Sequence, residues 1–169
     1  GTLVAHLHAL EPPTSPVVAD VDWERVLSVL DEHVRDPGLV REARQVAAWE
    51  ANLAAPARLV HADLHFGNLF ADEEGRVTAL IDLDEAGCGR VGDDLKFLPS
   101  EGPDFVREAL AAYVGAGGAP IGLTEVHRFH QRSAFEHLVH VGPAQPRFPR
   151  VVQWIRGATS AVRSVRDLG

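Results

Sequence analysis

The 169 residues are 46% apolar and 24% charged, a globular composition that excludes a disordered chain. The net charge of −8 speaks against a nucleic-acid partner held by phosphate neutralisation. No apolar run approaches the ~18 residues that a membrane-spanning helix needs, and the single cysteine, Cys88, can form no internal disulfide, which fits a reducing, cytoplasmic setting.

Hydrophobic period predicts helices at both ends and a short β-rich middle, an α+β chain that is mainly α-helical. Gly1 to Leu10 reads as a helix with Leu3, Leu7 and Leu10 on one face, broken by the proline-rich Glu11–Pro16. Asp22 is the expected N-cap of a helix carrying Trp23, Val26, Leu27, Leu30 and Val34, ended by Pro37-Gly38. A further helix is expected over Leu39–Ala54, with Pro56 after it. Arg58–His61 reads as a short extended run. Asn68–Ala71 and Arg76–Ile81 read as strands joined by Asp72-Glu73-Glu74-Gly75, a hairpin signal. Ala86 to Gly92 reads as a glycine-punctuated loop. Beyond Pro99 come a helix over Pro103–Val114, one capped by Thr124 and running to Val141, and a last one striped by Val151, Ile155, Ala158, Val162 and Val165.

Acidic charge is uneven along this layout. Arg58 to Ser100 holds nine carboxylates against four bases, −5 of the total −8. Clustered carboxylates repel, so a fold keeps them for solvent, for a cation or for proton transfer. The spacing selects among these uses. Asp63 and Asn68 flank one tight loop turned by Gly67, and the hairpin returns the chain to Asp82 beside it. Three hard oxygen donors converging at one place suit Mg²⁺, which completes its shell with water and substrate phosphate. One of the carboxylates is then left to accept a proton from a hydroxyl nucleophile.

The ordered motifs are His61-Ala-Asp-Leu-His-Phe-Gly-Asn68, Ile81-Asp-Leu83, Ala86-Gly-Cys-Gly89 and Asp94-Leu95. This stretch resembles the catalytic core of the aminoglycoside phosphotransferase and choline kinase family, which shares its fold with protein kinases. That family's pattern is His-Gly-Asp-Leu-His-Pro-Gly-Asn, a hairpin, Ile-Asp-Trp, Ala-Gly-x-Gly and Asp-Leu. Ala5-His-Leu-His-Ala9 also resembles the helix that opens the family's C-terminal lobe. The resemblance implies that Asp63 is the catalytic base or hydroxyl-orienting carboxylate and that His65 faces the transferred phosphoryl group. It implies that Asn68 and Asp82 hold Mg²⁺ on the phosphates of ATP or GTP, and that His61 and Asp94 hold the loop in place. Ala62, Phe66 and Leu83 depart from the pattern without removing a group the chemistry needs.

The family's N-terminal lobe has no counterpart here: no glycine-rich phosphate loop precedes His61, and the one lysine, Lys96, follows Asp94-Leu95. The chain opens on Gly1 and contains no methionine. The expectation is therefore the C-terminal lobe of a protein-kinase-like fold with a short catalytic β-hairpin. It would comprise a helical segment (1–56), the catalytic loop, hairpin and metal loop (57–99) and a helical acceptor-side segment (100–169), inactive without its partner lobe. The implied acceptor is a small-molecule hydroxyl, cationic or neutral beside so much acid. Aminoglycosides, choline, sugars, macrolides and homoserine-like alcohols all serve in the superfamily.

Two rival readings stand beside this one. A binding or regulatory module derived from a kinase lobe would have no need of Asp63, Asn68 and Asp82 together. A metal-dependent hydrolase would use His61, Asp63 and His65 on Zn²⁺, leaving Asn68 and Asp82 without a role. Asp84 and Glu85 read as a solvated acidic loop, and Asp93 as an acid at a helix N-terminus. His127, His130, His137 and His140 share a helix stripe read as a packed or solvated face, with His130 and Glu136 as weak acceptor-site candidates. Trp23, Trp49 and Trp154 read as packing residues, and Cys88 as an unreactive thiol.

Overall fold

The first helix, α1 (Thr2–Ala9), buries Ala5 and His8. The apolar face expected from Leu3, Leu7 and Leu10 is not the one turned inward: Leu10 is exposed, and a histidine takes the buried position. The computed structural model describes residues 1–14, 17–54 and 58–166. Residues 15–16 of the proline-rich break, and Pro56, lie outside this set.

Asp22 caps α2 (Trp23–Val29) by accepting the Arg25 amide at 3.0 Å. The helix continues through a π-helical turn, Leu30–Val34, and stops where Arg35 takes a left-handed conformation. Pro37-Gly38 is not its terminator. Pro37 instead occupies the first turn of α3 (Pro37–Ala51), where its missing N–H costs nothing. Asp36 is the cap, accepting from Gly38 N at 3.0 Å and Leu39 N at 3.3 Å.

The middle forms two antiparallel pairs. β1 (Arg58–Val60) pairs with β4 (Gly87–Gly89), and β2 (Leu69–Ala71) pairs with β3 (Val77–Leu80). The expected hairpin is present, turned by Gly75 at φ 77° with Asp72 bonded to the Arg76 guanidinium. That contact holds the Asp72 carboxyl below the usual carboxylate range. The expected glycine loop is in part a strand: Gly89 approaches Val60 so closely that a Cβ would lie 2.5 Å from its Cγ2. Val18 N–H also donates to Cys88 O at 3.0 Å. α4 (Val91–Leu95) follows directly, closed at its start by a capping box between Arg90 and Asp93.

α5 (Pro103–Gly115) buries Val106, Leu110 and Tyr113, while Ala109 on the same expected stripe is half-buried. α6 (Leu123–Val141) begins one residue before its expected cap, Thr124, and α7 (Phe148–Arg166) buries the predicted Val151, Ile155, Ala158, Val162 and Val165.

The chain divides into two compact units. One comprises Gly1–Ala19 and Ala55–Val126, the other Asp20–Ala54 and His127–Gly169. The first holds both strand pairs and a core of Leu95, Val106, Leu110 and Val126. The second is helical, with Val26, Leu30, Val46, Phe135, Leu138 and Ile155 at its centre. Its buried Glu50 is bonded to Arg132 and, at 2.5 Å, to the Trp23 indole. All three tryptophans pack against this core, as expected.

Candidate active site

The candidate residues His61, Asp63, His65, Asn68, Asp82 and Asp94 all belong to the first unit. Their loop starts where β1 ends. Buried Asp94, on α4, receives the His61 amide on Oδ2 at 3.0 Å and the Ala62 amide on Oδ1 at 2.8 Å. The Lys96 ammonium donates to Ala62 O at 2.5 Å. Ala62 is thus gripped on both sides of its peptide, and it sits at φ 69°, the left-handed region where glycine is at ease. These two bonds hold the alanine in that conformation.

Asp63 follows at once, its carboxylate about one-third exposed and 3.5 Å from Nε2 of His65. The other imidazole nitrogen, Nδ1, accepts the Gly67 amide at 3.0 Å. The proton of a neutral His65 ring is then on Nε2, directed at Asp63. A side chain at Gly67 would strike this ring, with a Cβ 2.9 Å from Cε1. Glycine at 67 therefore permits both the turn and the seating of His65.

Asn68 is buried, and its Nδ2 donates to the Asp63 carbonyl at 3.0 Å. That bond fixes the amide's orientation and leaves Oδ1 as its oxygen donor. The Asn68 carbonyl accepts the Ile81 amide at 3.1 Å, extending the hairpin ladder one step beyond Leu69 and Leu80. Asp82 is the next residue. It is exposed, left-handed at φ 62°, and its carboxylate has no hydrogen-bond partner among the described residues. The hairpin thus brings Asp82 to the Asn68 end of the loop. His61 ties the same corner from behind, its ring fully buried and its Nε2 donating to Ile81 O at 2.8 Å.

Asn68 Oδ1 and the Asp82 carboxylate are both hard oxygen donors, the ligand type that Mg²⁺ takes, and the Ile81–Asn68 bond brings their backbones together. His61 Nε2 is engaged with Ile81 O, and among the described residues no three His, Cys, Asp or Glu side chains are placed to share an ion.

Sequence reasoning missed three residues of this frame: Lys96 on the Ala62 carbonyl, His8 on Asp94 and Tyr113 on His8. The histidine stripe of α6 is mixed. His127 and His130 are buried, while His137 and His140 are exposed; His130 Nε2 accepts the Trp154 indole N–H at 2.9 Å. Glu136 stands 3.7 Å from Arg132.

Comparison with known proteins follows the same line. The profile described as the phosphotransferase enzyme family matches residues 1–130, which include every residue of the candidate site. The chain belongs to that family. No curated protein matches it significantly. A solved structure, a point mutant of aminoglycoside 2′-phosphotransferase IIIa in complex with GDP, matches with a TM-score of 0.52 at 17% identity. The match covers 88% of this chain and 53% of that one, so the chain spans about half the length of the solved structure. The phosphotransferase-family chain and that structure share a fold, the kinase-like fold expected from the motifs. No helix among the described residues is long and apolar enough to cross a membrane.

Proposed function

We propose that the chain supplies the catalytic half of a small-molecule kinase, which moves the γ-phosphate of ATP or GTP to an alcohol. The observation that supports this reading is the loop that ties Asp63, His65 and Asn68 together, with Asp82 one residue beyond the Ile81–Asn68 bond. The corner is closed by the Asn68–Asp63, Ile81–Asn68 and His61–Ile81 bonds. The solved relative in fold was crystallised with GDP, which favours a nucleotide co-substrate.

In this reading the acceptor hydroxyl hydrogen-bonds to Asp63, which orients it and takes its proton as the new O–P bond forms and the bond from the γ-phosphorus to the diphosphate breaks. His65 Nε2–H stands beside Asp63 and faces the phosphoryl group in transfer. Asn68 Oδ1 and Asp82 would hold Mg²⁺, which would supply charge neutralisation for the transferred phosphate. Buried Asp94 and His61 keep the loop from relaxing, and such preorganisation matters because this chemistry is mostly positioning and electrostatics. Phe70, Ile81 and Leu83 are exposed apolar residues, the last two flanking Asp82 in sequence, and side chains of this kind suit the face of a purine. Exposed Asp82, Asp84 and Glu85 favour a cationic or neutral acceptor. The nucleotide clamp that an N-terminal lobe provides in this family would come from outside these motifs, none of which is a glycine-rich phosphate loop. The isolated chain is then expected to turn over poorly.

The test is transfer of labelled γ-phosphate from ATP and from GTP to a panel of aminoglycosides, choline, sugars and other alcohols. It compares the chain alone with the full-length protein. A phosphate monoester formed by the full-length protein is the expected product. Release of phosphate to water in a Zn²⁺-dependent reaction, with no ester on any acceptor, would contradict the reading.

A further inference from the structure

The helical unit carries a group of polar side chains on α6 that the proposed transfer does not use. His127, Arg128 and Gln131 are all buried, each less than one-tenth exposed. Both ring nitrogens of His127, Arg128 Nη1 and Gln131 Oε1 have no hydrogen-bond partner among the described residues. The three residues fall at i, i+1 and i+4, which makes Gln131 the helix neighbour of both others.

Buried polar groups in folded proteins are bonded, and a buried charge is paired. Arg132, one turn further along α6, shows such pairing: its guanidinium is bonded to buried Glu50 and stands 3.7 Å from Glu136. Among the described residues no carboxylate does this for Arg128. A guanidinium cannot shed its proton to escape the cost. His127 can, and burial pushes it toward the neutral ring, which has one donor nitrogen and one acceptor. Gln131 Nε2 donates to Thr159 Oγ1 on α7 at 3.0 Å, so the unpaired end of its amide is the acceptor Oε1. The group therefore presents a fixed positive charge with a donor, a neutral imidazole and an amide oxygen. A ligand that meets all three needs an anionic oxygen for Arg128 and an O–H for Gln131. Sulfate and ionised carboxylates have the first without the second, and water has the second without the charge.

We propose that His127, Arg128 and Gln131 form a buried site for one small oxyanion that keeps an O–H, the chemistry shared by hydrogen phosphate and bicarbonate. The ionic oxygen faces Arg128, the O–H donates to Gln131 Oε1, and the His127 N–H donates to a further oxygen. The site belongs wholly to the second unit, and the claim stands whether or not the chain transfers phosphate.

The test melts the full chain in EDTA, which removes divalent cations that could hold phosphate elsewhere. Inorganic phosphate, bicarbonate, sulfate and acetate are compared at matched pH and ionic strength, with Kd read from isothermal titration. Phosphate or bicarbonate should raise the wild-type Tm saturably, by roughly 5 °C or more at a hundredfold excess over Kd, and the one that does so names the source. Sulfate and acetate should not. Gln131→Glu, which sets a carboxylate beside Arg128, should melt above wild type in buffer without these anions and lose the response. Arg128→Met should lose the response too, yet melt no lower than wild type in that buffer, because it removes an unpaired buried charge. Sulfate acting as strongly as phosphate and bicarbonate, or no saturable shift with either of the two, would overturn the proposal, and these titrations need no variant to fold. So would a response kept by Arg128→Met, or an Arg128→Met chain that melts below wild type or fails to fold.

Discussion

Ala62 places a Cβ where the backbone is left-handed, a conformation that costs an L-residue about 1–2 kcal/mol. Asp94 and Lys96 hold it there. Ala62→Gly should therefore leave stability unchanged or raise it by up to about 1 kcal/mol, the relief of strain outweighing the extra freedom of the unfolded glycine. At an ordinary helix or strand position the same change destabilises, so the sign of the shift in denaturant midpoint decides. Residue by residue, the acting groups were legible because they lie close in sequence: Asp63, His65 and Asn68 fall within six positions, and one hairpin returns to Asp82. The supports were not. His8, Tyr113 and Lys96 reach the loop across 34 to 105 positions, and hydrophobic period carries no sign of a buried polar contact made at that range. His8 in particular replaces the apolar face that Leu3, Leu7 and Leu10 suggested.

At the scale of elements, long stripes announced themselves and short pieces did not. α7 buries the residues its period selects, and α5 does so but for half-buried Ala109. β4 escaped because Gly87-Cys88-Gly89 has loop composition; it is a strand because glycine lets it lie against Val60. Pro37 opens α3 rather than ending the helix before it, since proline fits a first turn as readily as it ends a helix. Asp36 makes that opening. It accepts two amides and the Arg156 guanidinium, and these bonds hold its carboxyl below the usual range. Asp36→Ala should cost about 1 kcal/mol in chemical denaturation, whereas Asp36→Asn, which still caps, should cost less. α6 carries a titrating group of opposite kind. His127 is buried with neither ring nitrogen bonded among the described residues, and burial pushes its pKa below 6.5. The unfolded chain binds that proton first. The contribution of His127 is thus complete above about pH 6.5 and is lost as pH falls through that value toward the folded pKa. The midpoint of His127→Phe should fall less than that of wild type between about pH 7.5 and 5.5; parallel curves would contradict this.

At the scale of the whole molecule, two units each have a core of their own, and the acid excess sits with the one that carries the site. An exposed acidic rim around Asp82, Asp84 and Glu85 concentrates cations and is screened by salt. If the acceptor is cationic, its KM should rise with ionic strength while that of a neutral alcohol stays level; an equal response from both would detach the rim from recognition. Family and fold were legible from four ordered motifs. The acceptor was not, because motifs that hold phosphate and metal say nothing of what lies opposite them.

The most direct test sets Asp63→Ala beside Asp82→Ala in the full-length protein and measures turnover and Mg²⁺-dependent nucleotide binding in each. Asp63→Ala should lower kcat by about 10²–10⁴-fold with nucleotide binding retained, and Asp82→Ala should lose the Mg²⁺ dependence of binding as well. Near-normal turnover in Asp63→Ala, or an unchanged metal requirement in Asp82→Ala, would contradict the assignment of base and metal ligand at this corner.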